Sequence, residues 1–191
     1  MWGTVLMSLN KEHQQRLLDL AKSSIQHGLQ TGSPLKVNLA DFPAELTEYR
    51  ATFVTLHKNH QLRGCIGMLE ATRPLAEDIA ENAFLAAFRD PRFPPLADDE
   101  LDNLEIHLSI LTPAEPVLFT SEKDLITRLQ PGIDGLIFED GHRRGTFLPS
   151  VWEQLPEPEQ FLRHLKQKAG LPPDHWSDSI RIFRYRTEMI R

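Results

Sequence analysis

The chain has 191 residues, enough for one domain or for one domain with a subsidiary lobe. It is 40% hydrophobic and 25% charged, the balance of a globular protein rather than a disordered one. Twenty-one basic and 27 acidic side chains give a net charge of −6, which argues against a broad nucleic-acid or anionic-membrane surface; the single cysteine excludes an internal disulfide and a cysteine-based zinc finger.

Met1–Met7 is apolar but short, with no basic flank and no cleavage site, so it reads as an extension rather than a secretory signal. Residues 1–9 are set apart on this reading, with Met7 an alternative start, and residues 10–191 form a single domain. No apolar run approaches the roughly 18 residues of a membrane span, and a cytoplasmic protein is expected.

Leu17, Leu18, Ala21, Ile25 and Leu29 recur at helical spacing behind Asn10, a helix-capping residue, and Gly28 and Gly32 mark the end of a helix over 11–29. Residues 31–50 read as a loop. Residues 50–57 and 62–69 are rich in β-branched and apolar types and flank a turn at 58–61, which predicts a hairpin.

Thr72, with Pro74 in the first turn, predicts the start of a second helix; Pro91 ends it by barring the α conformation at Asp90. Residues 90–95 follow as a stiff loop. Five acidic side chains within residues 97–105 read as a short solvated helix. Residues 104–111 alternate as a strand. A short helix over 122–129, a hairpin from 135–139 to 143–148, a turn containing Trp152, a helix over 158–169 and a last strand over 179–186 complete the order. Strands joined by short hairpins, with helices between the pairs, predict an α+β fold with a mostly antiparallel sheet and flanking helices.

The unusual segment is Leu62–Gly67, with the sequence LRGCIG. Strand alternation puts Arg63, Cys65 and Gly67 on one face and Gly64 and Ile66 on the other. Glycines inside a strand mark a bulge or a close backbone approach. Two of them beside a thiol leave the sulfur accessible, and a nearby guanidinium favours thiolate, which suits a nucleophile, a redox thiol or an anion site. The alternative is a small buried cysteine beside glycines that admit a helix.

The loop after the second helix offers Arg89, Asp90, Arg92 and Phe93 on a proline-stiffened backbone, either as ligand contacts or with Phe93 in the core and the arginines paired to the acidic run. Glu105 and Ser109 lie on the third strand as a candidate hydrogen-bonding pair. His57 and His60 are the one close histidine pair and lack a third ligand, so no metal site is expected. Arg181, Arg184, Arg186 and Arg191 make a local basic stripe, read either as an anion site or as a solvated edge strand.

The LRGCIG segment resembles the hallmark of the AMMECR protein family, whose prokaryotic members are called AmmeMemoRadiSam system protein A. Residues 53–56, 86–95, 104–113, 135–139, 143–149 and 161–176 resemble further family segments in the same order, covering roughly residues 10–189. The resemblance implies an α+β fold with a smaller lobe, a cleft lined by the hallmark, and association with a Memo-like and a radical-SAM protein. It leaves the reaction and any cofactor open. The functions it leaves are a subunit of a modification pathway built around Cys65 and Arg63, a non-catalytic protein-binding module, and an RNA-binding protein.

Overall fold

The computed structural model describes residues 8–191, so the Met1–Met7 segment and the alternative start lie outside the described residues. Two compact units are seen. The first comprises the described residues up to Leu111 together with Glu188–Arg191, and the second runs over Thr112–Thr187.

In the first unit, helix α1 (Lys11–Thr31) starts where Asn10 Oδ1 accepts the His13 N–H and stops at Gly32, whose φ of 73° suits glycine. Gly28 lies inside the helix. A Cβ there would sit 2.5 Å from the Phe88 ring, so this glycine serves the crossing of α1 on helix α3 (Leu75–Phe88) rather than the helix end. The 31–50 stretch is less irregular than expected: Leu39–Asp41 is a 3-10 turn and α2 is Ala44–Thr47.

Strands β1 (Thr52–Lys58) and β2 (Gln61–Gly67) form the expected hairpin around a tighter turn, with Asn59 and His60 both at positive φ. Helix α3 begins two residues later than Thr72 predicts, behind Pro74, without a side-chain cap. The acidic run is a 3-10 turn, Asp98–Asn103, leading into β3 (Leu104–Leu111). Strand β8 (Thr187–Ile190), which the sequence did not announce, completes an open sheet in the order β2-β1-β3-β8.

Val54, Leu56, Leu108 and Ile110 are fully buried in one core with Leu17, Ile25, Ile79 and Ala83, so the even-numbered face of β1 and β3 is the helix-covered one. A buried polar network pins α3 to this face. Thr52 Oγ1 donates to Asp78 Oδ2 at 2.6 Å, Asn82 Nδ2 donates to Asp78 Oδ2 at 3.0 Å, and Arg73 Nε donates to Asp78 Oδ1 at 2.9 Å. Ser8 and Leu9 belong to the same unit: both donate to Glu188 Oε1, and Leu9 is buried.

The second unit holds β4 (Glu115–Pro116), α4 (Glu122–Arg128), β5 (Gly135–Asp140), β6 (Arg143–Phe147), α5 (Pro158–Lys168) and β7 (Arg181–Tyr185), with the sheet order β4-β7-β5-β6. Its core stacks Trp152 on Phe161 at 3.7 Å between ring centroids. Strand β7 is internal, which corrects its reading as a solvated edge, and Arg181 pairs with Glu139 at 3.0 Å rather than standing free. Antiparallel sheets with flanking helices make this the expected α+β fold. Among the described residues no helix is long and apolar enough to cross a membrane.

Candidate functional site

The odd-numbered face of the first sheet carries Phe53, Thr55 and His57 on β1, and Glu105, His107 and Ser109 on β3. Cys65 lies opposite Thr55, and Thr55 lies opposite His107, so a thiol, a hydroxyl and an imidazole form one row across three strands. The Cys65 N–H and C=O point away from β1, as they do in the closer, non-hydrogen-bonded kind of antiparallel pair. The side chains are close accordingly: Cys65 Sγ and Thr55 Oγ1 are 3.1 Å apart.

One pleat along the same face, the His57 ring packs on His107 at 4.9 Å. Burial, followed by His57 and Arg191, pushes His107 below the ordinary imidazole range, against the opposing pull of Glu105. The half-buried ring is therefore neutral at pH 7, the form that accepts a proton. His57 Nδ1 is buried and unpartnered among the described residues.

The loop after α3 closes the outer edge of β2 at Cys65. Asp90 Oδ2 accepts the Cys65 N–H at 3.0 Å, and Arg92 Nη2 donates to the Cys65 carbonyl at 3.4 Å and to Asp90 Oδ2 at 2.7 Å. Asp90 is buried, and chiefly the hydrogen bonds from Arg92 hold its carboxylate far below the usual range. Asp90 thus presents Arg92 while occupying most of its hydrogen-bonding capacity. Phe93 lies under the Arg92 guanidinium at 5.4 Å, and Arg89 lies 6.0 Å from the Phe84 ring centroid at the end of α3.

Arg63 departs from strand alternation. The β1–β2 register shifts between Leu56 and His57: Gly64 faces Leu56 and Leu62 faces His57, which leaves Arg63 as the extra residue of a bulge. Its guanidinium is committed to Glu100, with Nε to Oε1 at 3.0 Å and Nη2 to Oε2 at 2.9 Å, and Lys58 shares the same carboxylate at 3.0 Å. Glu100 is one of the five acids read as solvated. Its side chain is only 13% exposed, and the hydrogen bonds from Arg63, the Ala97 N–H and Lys58 bring its pKa down to about 2. The arginine that meets the acidic run is therefore Arg63, and Arg92 pairs within its own loop.

Ser109 is on the same face as Cys65, but its hydroxyl donates to Met189 Sδ at 3.1 Å, and Glu105 meets His60 at 3.4 Å, so the two do not form the expected pair. The structure brings Cys65, Asp90 and Arg92 together and sets Arg63 and Glu105 apart from them. Sequence reasoning missed Thr55, which the hairpin register alone identifies, and it paired His57 with His60 when the ring partner is His107. Among the described residues no three His, Cys, Asp or Glu side chains cluster to hold a metal ion.

Residues 18–190 match the AMMECR1 family. The chain belongs to that family. A protein from Methanothermobacter thermautotrophicus is 38% identical over 184 residues, 95% of each chain, and one from Thermotoga maritima is 46% identical over 152 residues, covering 78% of this chain and 82% of its own. The crystal structure of the uncharacterized protein PH0010 from Pyrococcus horikoshii is similar in fold, with a TM-score of 0.88 at 35% identity over 96% of this chain and 93% of that one.

In this AMMECR1-family chain both glycines of LRGCIG have packing causes. A Cβ on Gly64 would lie 2.1 Å from the Ala86 carbonyl oxygen, so the residue admits the backbone of α3 against β2. A Cβ on Gly67 would lie 2.3 Å from the Thr52 carbonyl oxygen and 2.4 Å from the Phe53 ring. The space that the sequence assigned to a ligand at these two positions is filled by the protein itself. Cys65, between them, is half-buried.

Proposed function

We propose that this AMMECR1-family protein is a subunit of a modification pathway and that its contribution is the Cys65 thiol, used as a nucleophile on the odd-numbered face of the first sheet. The observation that carries the reading is the row Cys65–Thr55–His107, with sulfur 3.1 Å from the hydroxyl and an imidazole kept neutral on the next strand. A thiol beside a hydroxyl, with a neutral imidazole paired in register on the next strand, brings together the groups that covalent catalysis uses. Asp90 and Arg92 fix the Cys65 backbone from the sheet edge, so the sulfur is held on a rigid strand. Association with a Memo-like and a radical-SAM protein is supported by the ordered family segments.

A second reading, a non-catalytic docking module, is favoured by β2 itself. Leu62 and Met68, at and just beyond the ends of this edge strand, are each 40% exposed, and the glycines between them serve packing. Purified Memo-like and radical-SAM partners mixed with the wild-type chain and with Cys65→Ser separate the readings. Retained association with lost modification of the shared substrate supports the nucleophile. Full modification by Cys65→Ser makes β2 a docking surface.

A further inference from the structure

A groove of about 700 Å³ lies in the first unit between the chain following α1 and the outer side of α3, and Cys65 takes no part in it. One wall is apolar, with Leu35 and Val37. The other is a line of charge on α3 and the residue pair that precedes it: Arg73, Glu77 and Glu81 at intervals of four. The volume falls in the range of small-molecule sites, roughly 300–1,000 Å³.

The charges in this groove differ in how they are held. Arg73 is fixed from behind. Its Nε donates to Asp78 Oδ1 at 2.9 Å, its Nη2 lies 2.8 Å from the same oxygen and donates to Asn82 Oδ1 at 3.4 Å, and Asp78 and Asn82 are both buried. That network leaves Nη1 without a partner among the described residues and holds the guanidinium in one orientation. Such a group binds an incoming carboxylate with little entropy cost. Glu77 and Glu81, one and two helical turns further on, have no ion-pair or hydrogen-bonded partner among the described residues, although both line the groove and both are half-buried. Lys36 stands exposed at the rim.

A purely anionic ligand would meet the two glutamates, and a purely cationic one would meet Arg73. A ligand with a carboxylate at one end, an ammonium at the other and an aliphatic body satisfies all three surfaces. The N-terminus of α3 adds to this at Arg73, since the helix dipole favours an anion there. We propose that this groove is a binding site for a small zwitterion of the amino-acid or dipeptide class, with its carboxylate on Arg73, its ammonium between Glu77 and Glu81, and its side chain on Leu35 and Val37.

Replacing Arg73 would also release Asp78 and Asn82 into the core, so the ligand is the better variable on that side. The full chain is titrated with glycyl-L-leucine, with N-acetylglycyl-L-leucine, which lacks the ammonium, and with glycyl-L-leucinamide, which lacks the carboxylate. Amide chemical shifts are the readout. The zwitterion is expected to bind with shifts confined to residues around 33–37 and 73–81. Each blocked peptide should bind roughly tenfold more weakly or worse, as loss of a charge-assisted contact requires. The double variant Glu77→Gln, Glu81→Gln, with an unchanged melting temperature, should weaken the zwitterion and strengthen the acetylated peptide, which no longer meets two carboxylates, so that the two bind alike. Equal binding of all three peptides, shifts elsewhere on the chain, or no shifts at about 10 mM glycyl-L-leucine would overturn the assignment.

Discussion

The Cys65 N–H donates to the Asp90 carboxylate at 3.0 Å, so a side chain 25 positions later takes the place that a neighbouring strand would hold beside β2. Arg92 completes the mimicry by donating to the Cys65 carbonyl. An edge strand with unpaired backbone groups invites association with other chains, and this latch closes β2 at the very residue that carries the thiol.

Asp90→Ala removes the acceptor for Cys65 N–H and for three donors of Arg92. A loss of about 1–2 kcal/mol is expected, since the Cys65 N–H is left without its acceptor while the half-exposed Arg92 can turn to water. Concentration-dependent self-association through β2 should accompany it. Denaturant titration and light scattering read the two effects, and a monomeric variant of wild-type stability would show the latch to be idle.

Gly64→Ala should destabilise far more than an ordinary strand substitution, by about 3 kcal/mol or more, because the obstacle 2.1 Å away is the backbone carbonyl of Ala86 and cannot rotate aside. Gly67→Ala also meets a backbone oxygen, at 2.3 Å, but it stands at the last residue of β2, where the chain end can shift, and should cost somewhat less. The midpoints of urea unfolding rank them; the reverse order would mean that α3 yields more easily than the end of β2.

Strand alternation read from sequence places Cys65 opposite Gly64 and Ile66, and the first hairpin, α3 and β3 all lie within a few residues of their expected bounds. The Arg63 error has a local cause. A bulge adds one residue to a strand, and alternation cannot be carried across it. Glu100 was unreadable for a different reason: composition describes a run of acids, whereas one turn of 3-10 helix turns one of them inward to Arg63. Strand β8 has only Met189 and Ile190 as apolar residues, too few to signal a strand. Thr55 becomes a site residue only through its register with Cys65 and His107.

Acid should weaken the first unit through Glu100. Its pKa falls to about 2 in the folded chain from an ordinary 4.5, so the unfolded state binds more protons between those values. The stabilisation is therefore complete above about pH 4.5 and is lost as the pH falls toward 2. Glu100→Gln should be less stable than wild type at pH 7, with the difference shrinking across that window. A constant difference down to pH 2 would mean that the Arg63 and Lys58 contacts contribute little.

His107 acts at higher pH with the same sign. Its folded pKa lies below the ordinary 6.5 because the buried ring, beside His57 and Arg191, resists a charge. The unfolded chain therefore takes up a proton first as the pH falls below about 6.5, and stability declines in that range. His107→Gln should flatten the slope of melting temperature between pH 7 and pH 5. An unchanged slope would place the titrating group elsewhere.

The most direct measurement of the proposed role of Cys65 is its alkylation rate by iodoacetamide at pH 7, followed by intact mass in the wild type, in Thr55→Val and in His107→Gln. The folded wild-type chain is expected to react faster than the same chain in denaturant, and both variants roughly tenfold more slowly while keeping the fold. A native thiol that reacts only after unfolding, or at one rate in all three proteins, would contradict a nucleophile served by the Thr55–His107 row.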